Sequence, residues 1–119
     1  MASSLLLLLL LTAAPTPAAP PAPTAAPTEA EVDPAATAAD GHFARGLEAL
    51  KARESAAAIT ALSACVQAMP SRVDCRWELG WAYSLENRWT EALAQWTEVQ
   101  KLKPDQPELE SALTQARAQ

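Results

Sequence analysis

The pattern of apolar and polar positions divides the chain at about residue 37. Before that point the apolar residues form one unbroken run of leucines, residues 5–11, followed by a stretch made almost entirely of Pro, Ala and Thr. After it, apolar residues recur every three or four positions, the spacing of one face of an amphipathic helix. Pro70 and Pro104 interrupt this pattern, because a residue that precedes proline is disfavoured in the helical region. The pattern favours helices on either side of these prolines and hence an all-α fold.

Local signals predict where these helices begin. Thr37 with Asp40, and Ser71 with Asp74, have the spacing of capping boxes in which Asp replaces the usual Glu. We therefore expect the first and third helices to begin at these two positions.

The remaining helices are bounded by prolines. We expect the second and fourth helices at residues 56–68 and 90–102, each ended by the proline that follows. A last helix is expected at residues 107–118, with Pro107 in its first turn, where the missing N–H costs nothing. Its apolar residues form a narrow stripe: Leu109, Ala112, Leu113 and Ala116. Such a helix suits the end of a helical stack, with one face on its neighbour and the other in water.

The N-terminal residues resemble a targeting segment. The run at residues 5–11 has the length of a signal-peptide core, whereas a membrane-spanning helix needs about 20 apolar residues. Thr16, Pro17 and Ala18 give the small-x-small pattern of a cleavage site, although residues 1–4 carry no basic side chain. We expect residues 1–18 to be removed on export to the periplasm, the cell envelope or the medium, leaving no membrane span. The alternative is an uncleaved, leucine-rich tail.

The composition of residues 19–37 predicts a tether. Proline fixes φ and removes donors, and the small Ala and Thr side chains bury too little area to offset the entropy of ordering. We expect an extended spacer that precedes a helical domain at residues 38–119.

The helical region repeats with a period of 34 residues. Identical pairs at this spacing are Asp40 and Asp74, Gly46 and Gly80, Ala58 and Ala92, and Pro70 and Pro104; similar pairs are Phe43 and Trp77, Ile59 and Leu93, and Leu62 and Trp96. A helix-turn-helix unit of this period with small residues at the helix crossings resembles the tetratricopeptide repeat. The resemblance is carried by Leu79, Gly80, Trp81, Ala82, Tyr83, Trp89, Ala92, Trp96 and Pro104. Residues 39–72 match the pattern less well than residues 73–106.

This resemblance implies a short α-solenoid of two repeats, at about residues 39–72 and 73–106, closed by a capping helix at 107–118. The first helix of each such repeat lines a concave groove. The positions that face it here are Asp40, Phe43, Leu47, Leu50 and Lys51 in the first repeat and Asp74, Trp77, Trp81, Ser84 and Leu85 in the second. Tyr83, Trp89 and Trp96 fall at packing positions instead.

Trp77 and Trp81 lie four residues apart on one helix face, with Phe43 and Leu47 expected on the neighbouring helix. An apolar surface of this size is typical of a binding site for a protein or peptide. Packing against the chain's own tether or against a second copy is the alternative. The family's basic clamp for a peptide carboxylate is absent, because these apolar residues occupy its positions.

Composition excludes several functions. The formal net charge of −5 disfavours nucleic acid and anionic membranes as partners. His42 is the only histidine, and no pattern supplies it with a nucleophile and an orienting acid. Two Cys and one His cannot complete a closed zinc site, and no phosphate-binding motif occurs, so we expect no cofactor and no enzymatic activity.

Cys65 and Cys75 lie about four residues on either side of the turn at residues 69–71. A short turn between antiparallel helices brings such positions together, and export supplies an oxidising compartment. We expect a disulfide; the alternative is two buried thiols.

The sequence thus favours a non-enzymatic protein- or peptide-binding module outside the cytoplasm. A structural spacer or dimerisation module, or an accessory domain of a larger envelope assembly or enzyme, is the alternative.

Overall fold

The computed structural model describes residues 33–119, which fold into five helices. They are α1 (Pro34–Lys51), α2 (Ser55–Ala68), α3 (Val73–Leu85), α4 (Trp89–Leu102) and α5 (Leu109–Arg117). All regular structure in this range is helical, which confirms the predicted all-α class. The predicted signal peptide and nearly all of the predicted tether lie outside the described residues. None of the helices between residues 33 and 119 is long and apolar enough to cross a bilayer.

Helix α1 begins earlier than predicted. The side chain of Asp33 accepts a hydrogen bond from the backbone N–H of Ala35 at 3.0 Å, and Pro34 occupies the first turn. Asp is a favoured N-cap residue, and proline at the first helical position loses no intrahelical bond. The helix therefore includes residues 34–37, which the sequence predicts as part of the tether, and the capping box predicted at Thr37 and Asp40 is wrong.

The capping box predicted at the start of α3 is wrong as well, although the helix begins where expected. Arg72 is the N-cap residue and no side chain caps the helix. The carboxylate of Asp74 is instead bound by the Arg72 guanidinium, with Nε–Oδ1 and Nη2–Oδ2 distances of 2.7 and 3.1 Å.

Helix α5 begins later than predicted. Glu108 adopts a left-handed conformation with φ of 67°, so the helix starts at Leu109 and Pro107 lies in the preceding turn rather than in the helix. The predicted apolar stripe is confirmed, since its four residues are all buried: Leu109, Ala112, Leu113 and Ala116.

The 34-residue period is visible in the helix bounds. Ser55 and Trp89, which open α2 and α4, are 34 residues apart (89 − 55), and so are the residues that close these helices, Ala68 and Leu102 (102 − 68). The turns that precede α2 and α4 each contain one left-handed residue at the same spacing, Arg53 with φ of 62° and Asn87 with φ of 59°.

Each helix packs against the next one along the chain, and α1 also contacts α3. The short connections make neighbouring helices antiparallel. Gly46 lies against Leu62 at the α1–α2 crossing, and Gly80 lies against Trp96 at the α3–α4 crossing. At both positions the absence of a Cβ allows the large side chain to approach the backbone of the facing helix.

The junction between the two helix pairs contains the two cysteines. The sulfurs of Cys65 on α2 and Cys75 on α3 lie within disulfide distance, with their Cα atoms 6.1 Å apart. Both side chains are fully buried beside Ala39 of α1. The proximity predicted from the sequence is therefore confirmed.

Candidate functional site

Three indole rings form a cluster between α3 and α4. The ring centroids of Trp77 and Trp81 are 5.7 Å apart and the rings are perpendicular. Both rings rest on Trp96, with centroid distances of 5.8 and 4.7 Å. Trp96 is fully buried, as its packing position predicted, whereas Trp77 and Trp81 keep part of their surface exposed. The cluster therefore extends from the buried core to the solvent-exposed side of α3.

Gly80 makes this arrangement possible. A Cβ built at this position would collide with Nε1, Cε2 and Cδ1 of the Trp96 indole. With no Cβ in the way, the indole reaches the α3 backbone and its Nε1–H donates a hydrogen bond to the carbonyl oxygen of Trp77 at 3.2 Å. The donor of a buried indole needs such a partner. Trp96 thereby supports both partly exposed tryptophans from beneath.

The exposed side of α3 carries a defined surface, which we call the tryptophan surface. It consists of Trp77, Glu78, Trp81 and Leu85, which are spaced to lie along one side of the helix. Leu85 is 43% exposed and is one of two large apolar side chains that lie open to solvent in the described part of the chain. The structure thus places apolar and acidic groups side by side here.

Glu78 was missed by the sequence reasoning. It is half-buried, and burial raises the pKa of its carboxyl group, with the negative charge of Asp74 adding to the effect. None of the ion pairs between described residues includes Glu78. The sequence alone gives no signal that Glu78 is half-buried and outside the ion pairs. An acid beside two tryptophans on a helix has the same pattern as an acid exposed to solvent.

Arg72 was also missed, and it changes the role of three predicted site residues. Its guanidinium binds Asp40 of α1 at 2.5 Å and Asp74 of α3 at 2.7 Å, and its Cζ lies 5.2 Å from the ring centroid of Phe43. The hydrogen bonds that the guanidinium donates to Asp74, and next those to Asp40, raise the pKa of Arg72 far above its ordinary range. Asp40, Asp74 and Phe43 are therefore engaged by Arg72, which links α1 to α3.

The other predicted site residues are distributed along α1 and the end of α3. Leu47 and Leu50 are half-buried, and Leu50 packs against the core between the helix pairs. Lys51 is exposed and pairs with Glu48 of its own helix at 3.3 Å. Ser84 donates a hydrogen bond to the carbonyl oxygen of Trp81 at 2.7 Å.

Tyr83 and Trp89 were predicted to pack rather than to face the groove. Both are half-buried against the core cluster that contains Trp96, in agreement with that prediction. The guanidinium Cζ of Arg88 lies 4.8 Å from the centroid of the Tyr83 ring.

A cleft of about 910 Å³ lies on α1 and α2, and the sequence did not predict it. We call it the alanine cleft, because small side chains supply much of its wall: Ala44, Ala49, Ala52, Ala57, Ala61 and Ala64. Its rim carries both charge signs, with Arg45 and Glu48 on α1 and Glu54 before α2. His42 also lines it, and its Nδ1 accepts a hydrogen bond from Arg45 at 2.7 Å.

No protein-family model matches this chain, and comparison with curated proteins finds no significant relative. Among the described residues, no three His, Cys, Asp or Glu side chains are grouped as a metal site would require. Function must therefore be inferred from the tryptophan surface and the alanine cleft themselves.

Proposed function

We propose that residues 33–119 form a short solenoid of two tetratricopeptide-like repeats with α5 as the capping helix. The support comes from the 34-residue correspondence between the helix pairs. It holds for the bounds of α2 and α4, for the left-handed residues Arg53 and Asn87, and for the glycine crossings at Gly46 and Gly80. Helix α5 buries its apolar stripe against the α4 core, as a terminal cap does.

We propose that this solenoid is a non-enzymatic module that binds a protein or peptide segment on the tryptophan surface. The single observation that carries the proposal is the pair of partly exposed rings, Trp77 and Trp81, held in a fixed geometry by the buried ring of Trp96. Aromatic side chains that are already ordered lose little entropy when a partner covers them, so they contribute strongly to binding. Leu85 extends the apolar contact beyond the rings.

The proposed location is outside the cytoplasm. The buried Cys65 and Cys75, at disulfide distance, fit a protein of an oxidising compartment. Cleavage of a signal peptide after residue 18 is part of the same proposal and rests on the sequence alone.

NMR of the isotope-labelled full chain tests the binding proposal. A peptide selected from a random library for binding to the protein is titrated into it, and the four indole N–H signals are followed with the backbone amides. We expect the largest shifts at the indoles of Trp77 and Trp81 and at the amide of Leu85. Shifts that leave these three residues unmoved and concentrate on the walls of the alanine cleft would contradict the proposal.

The alanine cleft favours a second candidate function, a dimerisation module. Its small side chains allow a helix to approach closely, and a rim with both Arg45 and Glu54 offers each copy a partner of opposite charge on the other copy. If the protein is a dimerisation module, sedimentation equilibrium detects a dimer. Ala57→Arg should dissociate this dimer, because Ala57 is an exposed residue of the cleft. A monomer at all concentrations would exclude it.

A further inference from the structure

We infer that the segment bound by the tryptophan surface carries a Lys or Arg side chain next to an apolar one, with the cation placed at Glu78. This inference rests on the proposed binding function and names the chemistry of the partner. Asp74, Glu78 and Trp81 lie at the i, i+4 and i+7 positions of α3, so Glu78 and Trp81 share one face of the helix. The apolar side chain covers the rings and the cation meets the carboxylate.

The charges on the helices around α3 leave Glu78 as the acid without a counter-ion. Helices α1, α2 and α4 pack against α3, and α2 contains no charged residue. On α1, Lys51 pairs with Glu48, and Arg45 is bonded to His42. None of these groups reaches Glu78.

The cations of α3 itself and those on and next to α4 do not pair with Glu78 either. Arg76 of α3 donates to the carbonyl oxygen of Pro70 at 2.7 Å and to the side chain of Gln95 at 3.0 Å. On α4, Lys101 pairs with Glu98 at 3.2 Å, and Glu91 at the start of the helix pairs with Arg88 at 2.6 Å. A cation for Glu78 must therefore come from outside these helices.

Arg72 does not fill this role. Its guanidinium is shared between the carboxylates of Asp40 and Asp74, and this three-residue group carries one net negative charge. The negative charge of Asp74 adds to the burial that disfavours ionised Glu78. The surface next to the tryptophans is thus negative, and an acidic partner would be repelled.

The tryptophan rings and Glu78 favour the same kind of partner. The faces of indole rings attract cations, and tryptophan does so most strongly among the aromatic residues. A partner that covered Glu78 with apolar atoms alone would bury a carboxylate without a counter-charge, which is costly. A Lys or Arg at that point forms a charge-assisted hydrogen bond in a site from which the partner excludes water. The surface therefore discriminates against purely apolar segments as well as acidic ones.

Three short acetylated probe peptides test the inference. They alternate Leu with Lys, with Gln or with Glu, and their dissociation constants for the full chain are measured by calorimetry, while the Trp77 and Trp81 indole signals report where they bind. We expect the Leu–Lys probe to bind at these indoles about tenfold or more tightly than the Leu–Gln probe. The Leu–Glu probe should bind most weakly.

Matched charge variants separate the local effect from the overall negative charge of the protein. Glu78→Gln and Glu98→Gln remove one acid each, from α3 and from α4. We expect Glu78→Gln to abolish the preference for the Leu–Lys probe and Glu98→Gln to retain it. Equal preference in both variants would overturn the inference.

The two proposals fail in different ways. If the Leu–Gln and Leu–Lys probes shift the Trp77 and Trp81 indoles with equal affinity, the inference about charge is wrong and the binding surface stands. If no probe moves these indoles at any concentration while the Leu–Lys probe binds elsewhere, the binding surface itself is wrong, and the inference is overturned with it.

Discussion

The indole Nε1–H of Trp96 donates a hydrogen bond to the carbonyl oxygen of Trp77 at 3.2 Å. This bond connects a fully buried residue of α4 to the backbone of the helix that carries the proposed binding surface. It exists because Gly80, one turn along α3, leaves room for the indole. Core packing and the geometry of the tryptophan surface consequently depend on the same contact.

Gly80→Ala tests the importance of this contact. The added methyl group would overlap the rigid Trp96 ring, so we expect a loss of about 1–3 kcal/mol in the free energy of unfolding. Gly41→Ala in α1 is the control, because a Cβ there meets only the end of the Arg45 side chain at 3.9 Å. Since Ala is a better helix former than Gly, Gly41→Ala should gain up to about 1 kcal/mol. Urea unfolding followed by circular dichroism measures both, and equal stability of the two variants would contradict this account.

Truncating the two tryptophans should have unequal effects on stability. Trp96→Ala removes a fully buried side chain, and we expect a loss of about 3–5 kcal/mol. Trp81→Ala removes a half-buried ring whose centroid lies 4.7 Å from that of Trp96, so a loss of about 1–2 kcal/mol is expected from the lost aromatic contact and burial. Thermal and urea unfolding of both variants give the comparison. If the two losses are the same, Trp81 is a core residue and not part of a binding surface.

Glu78 should make stability depend on pH in a direction opposite to that of a salt-bridged acid. Burial raises its folded-state pKa above the ordinary value of 4.5, so the folded protein disfavours the charged form. Its destabilising effect is therefore fully present above the folded-state pKa and disappears as the pH falls through that value towards 4.5.

Unfolding of Glu78→Gln and of the wild-type chain, measured from pH 7 down to about pH 4, checks this expectation. The variant should be the more stable protein at pH 7, and the difference should shrink as the pH falls. Glu98→Gln, which loses an exposed ion pair with Lys101, should show no such gain. For each variant, the free energy of unfolding of the wild-type chain minus that of the variant is compared between pH 7 and about pH 4. The expectation is refuted if this difference rises less for Glu78→Gln than for Glu98→Gln.

The paired cysteines, Cys65 and Cys75, should form a disulfide under oxidising conditions. Closing a loop with a sequence separation of 10 residues contributes about 2.5–3 kcal/mol by the chain-entropy relation. Intact-mass measurement after alkylation of the denatured protein, with and without reductant, detects the bond directly, because denaturation exposes both buried cysteines. We expect no alkylation without reductant and two modified thiols with it, and a double Cys→Ala variant should lose about that stability. Two thiols that are alkylated in denatured but unreduced protein would rule the disulfide out.

Much of the helical architecture could be predicted because its signals are local. Pro70 and Pro104 end α2 and α4 within two residues, and the apolar stripe from Leu109 to Ala116 gives the buried face of α5. The start of α1 could not be predicted in the same way. Asp33 and Pro34 form its cap, but they lie in a segment whose composition resembles an unfolded tether, and the local cap prevails over that composition.

The site could be predicted only in part. The spacing of Trp77 and Trp81 places them on one helix face, but their contact with Trp96 depends on how closely α3 and α4 cross at Gly80. Arg72 acts between Asp40 and Asp74, which are 34 residues apart (74 − 40), and such a link appears only once α1 and α3 are packed together. The alanine cleft arises from side chains too small to produce a strong hydrophobic signal.

We propose that the tryptophan surface binds a protein segment, and a pair of leucine variants tests this binding most directly. Leu85 at the end of α3 is 43% exposed and Leu102 at the end of α4 is 42% exposed, so Leu85→Ser and Leu102→Ser remove the same apolar side chain at equally open positions without adding charge. Calorimetry gives the affinity of each variant for a peptide that binds the wild-type chain. We expect Leu85→Ser to weaken binding by about tenfold or more and Leu102→Ser to leave it unchanged. Equal affinity of the two variants for the peptide would contradict the proposal.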